Sequence, residues 1–193
     1  MNRTKRLKIG YFLVFLVFAF IAGVTIYVVG SNPVFLVAAA LVLIIPGRIQ
    51  GFFYRDFFTG RQLFDKGAFK ESLFYSEKFI VQLNSKPNLK HLLWVTWPIY
   101  SVEIKAMALN NLGAAYLELG DFENAESQFQ AALSLDPHYP IPYFNLAIVN
   151  ELRQMHDLAK QCAEKACLLG YRQSTFDKVI LKAQTLLASI EGR

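Results

Sequence analysis

The stretch that decides the fold runs Ala106-Met107-Ala108-Leu109-Asn110-Asn111-Leu112-Gly113-Ala114-Ala115-Tyr116, turns at Gly120-Asp121 and continues through Ala125, Phe129 and Ala132 to Pro137. Small residues at Gly113, Ala125 and Ala132 stand among large ones at Leu112, Tyr116 and Phe129, at spacings that let two helices touch closely. The same residue types return 34 positions later: Asn111-Leu112-Gly113 matches Asn145-Leu146-Ala147, Ala125 matches Ala159, and Ala132 matches Ala166. A fixed period of this length marks a repeat architecture.

Leu109, Leu112, Gly113, Tyr116, Gly120, Ala125, Phe129, Ala132 and Pro137 all fall at signature places within one window, and the unit 106–139 resembles the tetratricopeptide repeat. The next unit, 140–173, keeps Tyr143, Leu146, Ala147, Ala159, Ala163 and Ala166. It departs from the pattern where Asn150 and Ala163 replace the usual aromatics. A weaker copy covers 53–86, where Gly60, Leu63, Gly67, Phe69, Ser72 and Phe79 line up with Gly113, Tyr116, Gly120, Phe122, Ala125 and Ala132. Its offset of 53 is one period plus a 19-residue insertion, 87–105. The resemblance implies three helix pairs, each burying its apolar face on the next, and a terminal cap. Residues 174–190 supply that cap: Ser174 reads as its N-cap with Asp177 three residues on. Phe176, Ile180, Ala183, Leu187 and Ile190 then share one face.

Ahead of the repeats the chain is different. Hydrophobic residues make up 54% of the whole, charged residues 18%, and mean hydropathy is +0.29. Residues 9–47 carry no charge, and the first acidic residue is Asp56. The 21-residue run 9–29 is close to the roughly 20 residues that cross a bilayer. A cleavable signal peptide is the rival reading, against which stand the length of the run and its end at Ile26-Tyr27-Val28-Val29. Gly30-Ser31-Asn32-Pro33 reads as a turn, and a second segment, 34–52, passes through Pro46-Gly47 to an aromatic belt at Phe52, Phe53 and Tyr54. A two-helix transmembrane hairpin is expected, with both ends cytoplasmic because the basic residues flank it outside. Ala19-x-x-x-Gly23 and Ala38-Ala39-Ala40 permit close helix approach, within the hairpin or in a homodimer.

The formal net charge of +5 is confined to these flanks, because residues 71–193 hold 11 basic and 13 acidic residues. That leaves no basic groove for nucleic acid. Cys162 and Cys167 have neither the spacing of a redox motif nor that of a zinc site, and read as buried free thiols. His91, His138 and His156 suit no metal and read as solvated, and Asp121, Glu123 and Glu126 read as the exposed start of a helix. No phosphate loop, nucleophile elbow or metalloprotease motif is present. No catalytic residue, metal or cofactor is expected. The terminal Ile190-Glu191-Gly192-Arg193 has the form of an engineered protease site.

What the resemblance implies about function is a concave groove lined by the first helix of each pair. Carried over by position, the lining is Tyr54, Phe57, Phe58 and Arg61, then Met107, Asn110, Asn111 and Ala114, then Ile141, Asn145 and Ile148. Asn111 and Asn145 either pair with the backbone of a bound strand or hydrogen-bond within the stack. Relatives that grip the C-terminal carboxylate of heat-shock chaperones use several Lys and Arg there. This lining has only Arg61, which argues for an apolar ligand. The insertion contains Trp94 and Trp97, which pack on the repeat core beside a helix starting near Pro98, or lie at lipid headgroups.

The expectation is an all-α protein: a membrane anchor over 1–52 with spans 9–29 and 34–52, then an α-solenoid of three tetratricopeptide helix pairs and a capping helix over 53–193. It implies an integral protein of a bacterial inner membrane with a cytoplasmic repeat domain. Its function would be that of a scaffold or assembly factor capturing a peptide or helix of other proteins, membrane proteins above all. The alternative is a permanent accessory subunit of a larger membrane complex.

Overall fold

A computed structural model describes residues 3–29, 33–34, 37, 47–95 and 100–192, and every regular element among them is helical. Helix α1 spans Arg3–Val29. Residues 47–53 are helical and run through Tyr54, whose N–H donates to Gln50 O at 2.8 Å, into α2 (Arg55–Asp65). There follow α3 (Phe69–Ser85), a 3₁₀ segment (Pro87–Val95), α4 (Ile104–Glu118), α5 (Phe122–Leu135), α6 (Pro140–Leu152), α7 (His156–Leu168) and α8 (Phe176–Glu191).

Among the described residues no helix is long and apolar enough to cross a membrane. This corrects the expectation of an integral protein of a bacterial inner membrane with a cytoplasmic repeat domain, and leaves the transmembrane hairpin without support. Crossing takes about 20 successive apolar residues in one helix. Of the second segment, 34–52, only Val34, Val37 and residues from Gly47 on are described. The turn at 30–32, Ala38-Ala39-Ala40 and Trp97 lie outside the described residues, as does the side chain of Trp94.

Helices α2 and α3, α4 and α5, and α6 and α7 pack as hairpins, and α3 packs on α4, α5 on α6, and α8 on both α6 and α7. Within each pair the turn places one residue at positive φ: Gly67 at 77°, Gly120 at 84° and Gln154 at 62°. Glycine adopts this left-handed conformation freely, whereas a side chain there costs about 1–2 kcal/mol. Gln154→Gly is therefore expected to stabilise the fold by roughly 0.5–1 kcal/mol after allowance for the freer unfolded chain. Urea denaturation reads the gain, and an unchanged or lower midpoint would refute the strain.

Small residues set the distance between paired helices. A Cβ built on Gly113 would meet the Phe129 ring at 2.7 Å and Ala125 O at 3.0 Å, so α4 and α5 touch backbone to side chain at that point. Gly60 plays the same part between α2 and α3, with Ser76 Oγ at 3.2 Å. The main core gathers Leu117, Phe129, Leu146, Val149, Ala163, Val179 and Leu186 from five helices, and a second gathers Tyr54, Phe57, Phe79, Leu83 and Leu89.

Capping departs from the sequence expectation at two places. Helix α4 begins at Ile104 rather than near Pro98, where the Glu103 carboxylate accepts from Lys105 N–H at 3.4 Å. Thr175, not Ser174, precedes α8, and the buried Ser174 hydroxyl donates to Tyr171 O at 2.7 Å, pinning the loop instead. The buried face of α8 is accordingly Val179, Ala183 and Leu186, while Leu187 is exposed. Cys162 is half-buried and Cys167 exposed, both free, so the expected pair of buried thiols is not present. The acidic run also does more than start a helix. Asp121 caps α5 by accepting from Asn124 N–H at 3.1 Å, and Glu126 pairs with Arg153 of the third helix pair.

Candidate functional site

Three first helices and the cap line one groove of about 460 Å³. Helix α2 contributes Arg61, Phe64 and Asp65, and α4 contributes Asn110, Asn111, Ala114, Leu117 and Glu118. Helix α6 and its approach contribute Tyr139, Ile141, Phe144, Asn145 and Ile148. Tyr171, Gln173, Lys178 and Lys182 close the far wall from α8 and the loop before it.

Seven of the expected lining residues meet here: Arg61, Asn110, Asn111, Ala114, Ile141, Asn145 and Ile148. Four lie elsewhere. Tyr54 is fully buried, its hydroxyl donating to Leu89 O at 2.6 Å, and Phe57 packs edge-on against it in the same core. Phe58 is exposed, with its ring 5.5 Å from that of Phe57, and Met107 packs against the second core and against a third cluster of Ala106, Leu109, Ala132 and Tyr139. At the offset of 53, Arg61, Phe64 and Asp65 align with Ala114, Leu117 and Glu118, so α2 lines the groove in register with the end of α4, and only its Phe57 and Phe58 fall short of the places that Asn110 and Asn111 hold.

The two asparagines of the expected ladder behave differently. Asn145 Nδ2 donates to Asn110 Oδ1 at 2.9 Å, tying α6 to α4 across the repeat junction. Asn110 is buried, so this bond satisfies an amide that would otherwise be costly to enclose. Asn111 is half-buried in the groove and its amide has no hydrogen-bond partner among the described residues.

Aromatic rings stiffen one wall. Tyr171 meets Tyr100 at 5.7 Å and Phe144 at 5.3 Å, both edge-on. Burial pushes the Tyr171 phenol above its ordinary pKa, with Tyr100 adding to the shift. Burial also drives the Tyr139 phenol strongly upward, opposed by the nearby Arg61 charge and reinforced by Asp136. Lys182 Nζ pairs with Glu118 Oε1 at 2.7 Å across the groove.

The tyrosines and lysines were absent from the sequence-based lining because they lie in connections and in the cap. Position within the repeat says nothing about those segments. The Pro137-x-Tyr139-Pro140 turn, which must bring the chain back sharply, was the one available signal for Tyr139.

The family model of the tetratricopeptide repeat matches residues 106–139, the whole of α5 and nearly all of α4. Residues 106–139 are a tetratricopeptide repeat. Over 68 residues, 35% of the chain, the repeat protein is 35% identical to the probable UDP-N-acetylglucosamine--peptide N-acetylglucosaminyltransferase SPINDLY of Oryza sativa subsp. japonica. The protein of the same name from Hordeum vulgare is 35% identical over 66 residues, 34% of the chain. The repeat protein spans 7% of the length of each of these curated relatives. Repeats of this family indicate protein–protein interaction.

Proposed function

We propose that the chain is an interaction scaffold, serving protein assembly, whose groove captures an extended or helical segment of a partner protein. Residues 53–193 act as its binding unit, with helix pairs at about 53–86, 106–139 and 140–173 and a cap at 174–190. The observation that carries this reading is the composition of the groove floor. Ala114, Ile141 and Ile148 supply apolar surface, and Asn111 offers both a donor and an acceptor that no described residue engages. An extended backbone carries both hydrogen-bonding functions at every residue, so an uncommitted amide beside apolar pockets is suited to it whatever its sequence.

Ala114→Arg tests the proposal, because Ala114 is half-buried on the groove side of α4 and an arginine there fills the channel while its head reaches solvent. Crosslinking in intact cells, followed by identification of captured proteins, is expected to lose the wild-type set by about tenfold or more, equivalent to roughly 1.4 kcal/mol. Thermal unfolding of the variant should stay within a few degrees of wild type. A folded variant that captures the same proteins at the same yield would sink the proposal.

A further inference from the structure

We propose that the groove holds one acidic side chain of the bound segment, its carboxylate set between the Tyr139 hydroxyl and the Arg61 guanidinium. The inference deepens the reading of the groove as a peptide-binding surface and rests on it.

Tyr139 lies in the connection between α5 and α6 and is 3% exposed, yet it lines the groove with Arg61. Its backbone N–H is committed to Asp136 O at 3.0 Å, whereas its hydroxyl has no hydrogen-bond partner among the described residues. The ring is buried while the O–H opens on the groove, so it is a donor left available to an acceptor that enters there.

The neighbouring charges decide what kind of acceptor. Arg61 lines the same groove as Tyr139, and its positive charge lowers the phenol pKa against the effect of burial. Arg61 is exposed and makes no ion pair among the described residues, and neither does Lys178 on the opposite wall. Lys182 is already paired with Glu118. Two carboxylates oppose an anion. Asp136 beneath Tyr139 is engaged, accepting from Ser101 Oγ at 2.8 Å and from His138 N–H at 3.1 Å, and Asp65 remains as one negative charge facing two uncommitted cations. A neutral carbonyl would satisfy the hydroxyl but leave the guanidinium unanswered. A carboxylate has two oxygens and the charge that matches both donors.

Random dodecapeptides displayed at the N-terminus of a phage coat protein, which leaves them no free C-terminus, are panned on the full chain. The expected sequences share one fixed Asp or Glu among apolar residues. Measured by fluorescence anisotropy on the synthetic peptide, changing that acid to its amide weakens wild-type binding by about tenfold, the effect of one charge-assisted hydrogen bond. Tyr139→Phe and Arg61→Gln each weaken the acidic peptide by about the same factor and leave the amide peptide unchanged. Phenylalanine keeps the packing of the ring and Arg61 is exposed, so both variants fold, as circular dichroism melts would verify. Enriched peptides without a fixed acid overturn the carboxylate subsite while leaving the groove a peptide site. A failure to enrich any peptide that Ala114→Arg then rejects overturns the groove reading itself.

Discussion

Phe129→Ala is expected to cost about 3–5 kcal/mol of folding free energy, toward the upper end for a buried aromatic. Phe129 is wholly enclosed, and its ring presses on the α4 backbone at Gly113. Truncation leaves a void that the facing helix cannot fill, because Gly113 has no side chain to swing inward. The ring also reaches the core shared with Leu117, Leu146 and Val149, so the loss spreads from the middle helix pair to the third. Urea unfolding followed by circular dichroism measures it. A loss under about 1.5 kcal/mol would mean that α4 and α5 collapse together, and that the glycine is not what fixes their spacing.

Tyr54 carries the second large effect, and its two parts can be separated. Tyr54→Phe removes the hydroxyl that donates to Leu89 O at 2.6 Å, at a cost of about 1–2 kcal/mol. Tyr54→Ala removes the ring as well, along with its packing on Phe57 and Phe79, for about 3–5 kcal/mol in all. Because Leu89 lies in the 3₁₀ segment, Tyr54→Phe should also raise hydrogen exchange across residues 87–95 relative to the rest of the chain. Neither variant should change the affinity of a groove-bound peptide once corrected for the folded fraction. A selective loss of binding in Tyr54→Phe would return this residue to the groove.

The outcome at Tyr54 shows how far alignment by repeat position carries. The Asn111-Leu112-Gly113 signature locates groove positions on α4 and α6 because both pairs share the 34-residue period and the same small residue at the contact. The first pair matches only after an insertion is removed. Its α2 is continuous with a preceding helical stretch through Tyr54, so Tyr54 faces Leu89 and Phe79 while Arg61 and Phe64 turn to the groove. Residues 9–47 are a further case. A count of apolar letters pointed to membrane spans, but a span requires one sufficiently long apolar helix, and none exists among the described residues.

The sequence by itself determined the all-helical class, the helix pairing at 106–139, the glycines of the tight turns and the presence of Asn and apolar residues at groove positions. Each of these follows from local chemistry: periodicity, residue size and the left-handed turns that glycine permits. Only the tertiary structure decided that Asn145 bonds Asn110 while Asn111 stays uncommitted, and that Tyr139 and Arg61, far apart in the chain, line one groove. It also decided that α8 brings lysines to the far wall. Those facts depend on how helices rotate and stack against one another. That stacking is set by the summed packing of side chains far apart in the chain, which no local pattern records.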